Sequence, residues 1–237
     1  LFEDGRYLEL SFGYIAPRIA GSDVLGNRIN DVAVNYNLPG FSYKMDLDET
    51  WSFALNYDQP FGSDVLYPGR PATTMLGGTN AVADSTALTG ILRYKFDENF
   101  SVHGGLRAQK SDGYILLSGL AYGPLSGYNV TLGSDTSAGY LIGVAYEKPE
   151  IALRVALTYN SKVTHDFDTS ERIGSTAVAA PSTTEVDTPQ SVNIDFQTGV
   201  AEDTLVYGSI RWVDWTQFTV DPTFFSTATG GQGLVNL

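Results

Sequence analysis

From residue 51 to 58 the odd positions are Trp51, Phe53, Leu55 and Tyr57, and the even ones are Ser52, Ala54, Asn56 and Asp58. Successive side chains of a strand point to opposite faces, so this stretch has one greasy side and one polar side. The same alternation recurs over 8–14, 41–47, 88–96, 100–109, 140–146, 151–160, 192–196 and 206–212. It predicts about nine strands and an all-β chain.

The connections alternate in length. Asp48-Glu49-Thr50, Asp97-Glu98-Asn99, Glu147-Lys148-Pro149-Glu150 and Ala201-Glu202-Asp203 are short and acidic, whereas 21–39, 60–84, 111–136, 163–188 and the stretch from 219 onward are long and rich in Gly, Ser, Thr, Asp and Pro. Bacterial outer-membrane barrels have this asymmetry, with short periplasmic turns and long external loops. Lys or Arg facing lipid at mid-membrane costs about 2–4 kcal/mol, so a barrel confines strand charges to its other face. Glu9, Lys44, Arg93, Lys95, Arg107, Arg154, Asp195 and Arg211 all comply. A soluble sandwich would comply too, so charge alone does not separate the two. Aromatic residues do: Tyr14, Tyr57, Tyr94, Phe96, Tyr146, Tyr159, Trp212 and Trp215 stand near strand ends, where a membrane-interface girdle belongs. The reading is a transmembrane antiparallel β-barrel, one incomplete barrel domain over 1–237 with no second domain. If the short turns are periplasmic, an odd number of strands ends outside. Closed bacterial barrels usually have an even number, so further strands are expected beyond this sequence.

Composition narrows the function. A net charge of −13 without a basic run argues against a nucleic-acid partner. The chain has no Cys, and its two His, His103 and His165, are far apart in sequence, so neither a metal site nor a cofactor is expected. No run approaches the roughly 18 apolar residues of a membrane helix; residues 114–122 come nearest and are broken by Ser118 and Gly119. No signal peptide opens the sequence. His103 shares a polar face with Ser101, but without a placed acid the pair is no triad and no enzyme is expected. His165 beside Asp166 and Asp168 reads as a solvated turn rather than a cation site. Asp64, Asp84, Asp135, Glu171, Glu185 and Asp187 read as loop acids, either solubilising or facing cations held by lipopolysaccharide.

Three stretches carry a family likeness: Thr188-Pro189-Gln190-Ser191-Val192-Asn193-Ile194 with Asp203-Thr204-Leu205 and Trp215-Thr216-Gln217-Phe218; Tyr146-Glu147-Lys148-Pro149 with the segment 157–163; and Leu1-Phe2-Glu3-Asp4-Gly5 leading into Tyr7-Leu8-Glu9-Leu10. Together they resemble the FadL-type outer-membrane transporters of long-chain fatty acids and other hydrophobic compounds. The resemblance implies a gated barrel of about fourteen strands, within the even-numbered range of such proteins. It also implies an N-terminal hatch expected before Leu1, capture of ligand by outer loops and sideways release into the bilayer. Long-chain fatty acids or aromatic hydrocarbons would be the ligands, and outer-membrane lipid and lipopolysaccharide the surroundings. A general porin or a structural, adhesive barrel is the alternative.

Three groups of residues are candidates for the transport path. The apolar run Tyr114, Ile115, Leu116, Leu117, Leu120, Ala121 and Tyr122 lies outside the regular strands in this reading, with Leu116, Leu117 and Leu120 as a capture surface or a small loop core. Arg107 and Arg154, on the inward face, are placed to meet a carboxylate. Pro60, Phe61 and Gly62 follow the third strand, where Pro removes a ladder donor and Gly permits a bend. In the resembled family a kink in the third strand makes the lateral exit, and these residues are its expected counterpart.

Overall fold

The computed structural model describes residues 1–3 and 5–236. Nine strands follow one another by antiparallel pairing to form a wall: β1 (Arg6–Ile15), β2 (Tyr36–Asp46), β3 (Trp51–Asp58), β5 (Asn80–Lys95), β6 (Phe100–Leu116), β7 (Tyr128–Lys148), β8 (Leu153–Asn160), β11 (Ser191–Ala201) and β12 (Thr204–Val213). Four others leave this path. Strand β4 (Gly62–Leu66) pairs with the outer end of β5, and β9 (Val163–Ile173) and β10 (Ser182–Thr188) form a hairpin on the outer end of β7, with the two-residue strand Thr176–Ala177 within it.

The wall is greasy outside and polar inside. Leu10 is 76% exposed and Leu106 75%, as are, to a lesser degree, Leu88, Leu92, Ile142, Val144 and Ile210, whereas Ser52 and Arg93 are each 2% exposed. In water this arrangement would leave a large uncovered apolar surface and bury unneeded polar groups. In a bilayer it is the stable one, since lipid covers the outer face and ladders between neighbouring strands satisfy the backbone. The expected confinement of charge holds: Lys44 and Arg93 are buried on the inner face, paired with Asp46 and Glu147.

The short turns fall where the sequence places them. Asp48 Oδ1 accepts the amides of Thr50 (2.8 Å) and Trp51 (2.7 Å), and Asp97 Oδ1 those of Asn99 (2.8 Å) and Phe100 (2.7 Å). An Asp side chain that bonds the backbone two and three residues on mimics a turn, which is why both begin with Asp. At the other end the strands run further than expected. Strands β5, β6 and β7 continue through segments read as loop, so Tyr114, Ile115 and Leu116 belong to β6. Above the membrane neither face of a strand must be greasy, so the outer ends of β5 and β6 lack the apolar alternation that marks the rest.

These outer ends carry a cap. Leu117, Tyr128, Val130, Leu132, Phe167, Val186, Val220 and Phe225 form one buried cluster. It joins β6, β7, the β9–β10 hairpin and a returning segment, 218–236, that contains the short helix α1 (Thr223–Ala228). Glu171 is buried there and accepts bonds from Tyr128 Oη (2.7 Å) and the amides of Phe224 (2.8 Å) and Phe225 (3.0 Å), tying the returning segment to the hairpin. It is therefore not a solvated loop acid. On the hairpin's open side Asp187 meets Lys162 (2.6 Å). His165 is also displaced from its expected turn: it is 0% exposed, with Nδ1 2.8 Å from Asp135 Oδ2 and its ring stacked on Phe167. The sequence hid this because Asp166 and Asp168, its neighbours, point the other way and remain exposed.

Candidate functional site

The wall is interrupted at β3. This strand pairs with β5 from Trp51↔Tyr94 to Asp58↔Ala87, and pairing resumes at Gly62↔Asp84 with β4. Gln59, Pro60 and Phe61 thus stand opposite only Ser85 and Thr86. Pro60 has no amide to give to a ladder. The surplus residue and the missing donor together break the strand.

The neighbouring strand does not follow the break. The β2–β3 ladder ends at Phe41↔Tyr57, while β2 continues to Tyr36, bonded to β1 only. Among the described residues no strand pairs with the other edge of β2 over 36–40. Further out the gap closes again: the Val34 amide donates to Asp64 O (3.0 Å), the Leu66 amide to Val32 O (2.8 Å), and Ala33 bridges Val65. The result is a framed gap in the backbone pairing of the wall between β2 and the broken strand. The first outer loop that supplies its upper edge is clamped by Asp23, whose carboxylate takes Leu25 (3.0 Å), Asn27 (2.8 Å) and Met75 (3.2 Å) amides. The Asn27 side chain, then these amides, hold that carboxyl below the usual carboxylate range.

Beside the break and beneath the cap lies a cavity of about 390 Å³. Phe61, Ile115, Leu132, Phe167, Val186, Trp215, Phe218 and Val220 give it an apolar lining, and no Lys, Arg or His lines it among the described residues. Asp84 and Asp112 border it but are out of phase with the buried Ser85 and Ser111, so their carboxylates point away. An apolar cavity of about 150 Å³ is enough to bind benzene. Phe61 belongs to both features, with its ring edge-on to Trp215 at 5.8 Å and under the Arg211 guanidinium at 5.5 Å. Trp215, expected in the membrane girdle, also lines the cavity.

The other sequence candidates lie apart from it. Leu117 is in the cap core, Leu116 ends β6, and Leu120 opens a short helical turn, about half exposed. Arg107 sits below the cavity, bonded to Thr89 (3.2 Å) and Asn160 (3.4 Å). Arg154 is lower still, bonded to Gln197 (2.7 Å) and, with Arg93, flanking the ring of Phe2 at 4.8 and 4.4 Å. Ser101 and His103 are not joined to each other: Ser101 meets Arg93 Nε (3.0 Å), and His103 Nε2 meets Thr158 Oγ1 (2.9 Å). The strand break falls at Pro60, Phe61 and Gly62, where the sequence predicts a bend, but the sequence reading misses the cavity. Its signals were present, in the alternation Tyr128, Val130, Leu132 and in the inward row Val163, His165, Phe167.

Solved structures share this architecture. A Pseudomonas aeruginosa FadL homologue superposes with a TM-score of 0.63 at 15% identity, over 98% of this chain and 63% of the other. The Ralstonia pickettii toluene transporter TbuX gives 0.59 at 13% identity, over 91% and 64%. The Pseudomonas putida toluene transporter TodX gives 0.54 at 12%, over 91% and 61%. The chain therefore spans less than two thirds of the length of each. No curated protein sequence matches it. The family model for outer membrane protein transport proteins matches residues 7–230, and the chain accordingly belongs to that family, OMPP1/FadL/TodX, of the bacterial outer membrane.

Proposed function

We propose that the protein is a channel for uncharged hydrophobic molecules, which enter the apolar cavity from outside and leave sideways into the bilayer through the opening between β2 and the broken strand. The observation that carries this reading is the cavity itself: apolar, without a cationic side chain, and sharing Phe61 and Gly62 with the break. Burial in it gains about 25 cal/mol per Å² of apolar surface removed from water. A carboxylate there would lose its hydration, and no cation lines the cavity among the described residues to pair it. Aromatic hydrocarbons fit such a site better than the head group of a fatty acid, and two of the similar structures are described as toluene transporters. Capture from outside falls to the half-exposed Leu120 at the rim of the cap.

The complete protein, expressed in cells lacking their own channel for hydrophobic compounds, is expected to speed accumulation of radiolabelled toluene and to leave that of oleate unchanged. Faster oleate uptake with no effect on toluene would reverse the ligand assignment. A large steady ion current in planar bilayers would favour a general porin instead.

A further inference from the structure

A broken strand leaves its backbone without partners, and buried peptide groups left so cost about 1–3 kcal/mol each. Here they are not left so. The Phe61 amide donates to Ser85 Oγ at 3.0 Å, and the same hydroxyl donates to the Phe61 carbonyl. In an antiparallel ladder a residue exchanges both of these bonds with the backbone of one partner. A hydroxyl has one proton to give and lone pairs to accept with, so a single Ser side chain stands in for that whole partner.

The direction matters as much as the bonding. Ser85 is buried and in phase with Ala87, Thr89, Ile91 and Arg93 on the inner face of β5, opposite in phase to the lipid-facing Leu88 and Leu92. A peptide bonded to its side chain rather than to the β5 backbone lies inside the wall. The chain at Phe61 is thus drawn inward, off the ladder, which leaves the adjacent edge of β2 uncovered. The same displacement carries the Phe61 ring to Trp215, which lines the cavity with it, and beneath Arg211, which does not line it.

We propose that Ser85 is a positioning residue for transport: its hydroxyl, by taking both backbone groups of Phe61, holds the broken strand inward and so keeps the wall opening and the Phe61 ring in register with the cavity. Without the hydroxyl, Phe61 regains partners only by returning to the β5 backbone, and the opening narrows. Capture precedes this step and does not depend on it. The assignment rests on the wall opening being the exit.

The test uses toluene uptake by the complete protein, with heat-modifiable gel migration as the check of assembly. Ser85→Ala is expected to lower the maximal rate at least about tenfold, the equivalent of one buried unsatisfied group, at an unchanged half-saturating concentration. Ser85→Thr retains the hydroxyl and is expected to restore the rate. If Ser85→Ala does not assemble, Ser85→Cys replaces it, since a thiol is a weaker donor and acceptor, and the loss should be smaller in the same direction. An assembled Ser85→Ala protein with the parental rate, or a Ser85→Thr protein as slow as Ser85→Ala, overturns the role. A second variant isolates the premise. Pro60→Val with Gly62→Val restores a ladder donor, and a Cβ at Gly62 meets only Ala83 O at 3.6 Å, so it should assemble. Parental uptake by this variant would remove the lateral exit itself, whereas impaired uptake beside a normal Ser85→Ala would remove only the Ser85 assignment.

Discussion

In the outer half of β7 the side chains of Tyr128, Val130 and Leu132 point into the cap core, whereas in its inner half Tyr140, Ile142 and Val144 face lipid. All six are even-numbered and apolar, so a strand of unbroken phase would put them on one side. The change of side comes from a bulge. Ser111 pairs with Asp135 and Gly113 with Leu132, which leaves Gly133 and Ser134 opposite Asp112 alone. One extra residue reverses the facing of everything beyond it. The same sequence parity thereby serves two solvents: greasy residues turn outward where lipid covers them and inward where water does not.

Deletion of Ser134 removes the bulge and has the largest expected effect. Without the bulge, either the lipid-facing row turns into the lumen or the cap residues turn into water, and heat-modifiable assembly is expected to be lost; retained assembly would show that another element sets the facing. Smaller changes separate the two halves. Phe167→Ala empties part of the cap core, and such truncations cost about 3–5 kcal/mol. The β9–β10 hairpin should then become susceptible to protease while the wall remains intact. Ile142→Arg should do the reverse, costing about 2–4 kcal/mol at the lipid face, seen as a lower urea midpoint for the barrel in vesicles with the hairpin still resistant until it unfolds. At the cap rim, Leu120→Ser is expected to slow uptake of dilute toluene several-fold without changing the rate at saturation. Leu117→Ser should instead resemble Phe167→Ala, because that side chain is part of the core.

The smallest effect is one of pH. Burial alone would raise the Asp187 carboxyl, but hydrogen bonds from Lys162 and Thr164 outweigh it and hold the group below its usual range. A depressed carboxyl contributes stability that is present above its unfolded value of about 3.9 and is lost as pH falls through the folded one. Proteolysis of the hairpin by an acid-active protease should therefore quicken only below about pH 4, and Asp187→Asn should weaken that dependence, leaving the share of Asp135 beside His165. The pair is partly exposed, so the change should be slight.

Most of the wall was legible in the sequence because a bilayer imposes alternation on every strand that crosses it. The nine rows of apolar residues and the inward charges are both consequences of that one constraint, and the Asp-led turns follow from local turn chemistry. Outside the membrane the constraint lapses. The outer ends of β5 and β6 and the β9–β10 hairpin alternate Ser, Thr, Asp and Gly with only a few large apolar residues, so they read as loop although they are fully paired. The break in the wall was visible through Pro60 and Gly62, whose chemistry is local. The cavity was not, because Phe61, Ile115, Phe167 and Trp215 come from four separate stretches, and only the fold brings them together.

The most direct measurement is a crystal structure of the complete protein soaked with iodobenzene, whose iodine is located by anomalous scattering. An iodine peak between Phe61, Phe167 and Trp215 is the expected result. An iodine peak confined to the lower lumen beside Arg107 and Arg154, with the cavity empty, would contradict the assignment of this cavity as the site of hydrophobic ligands.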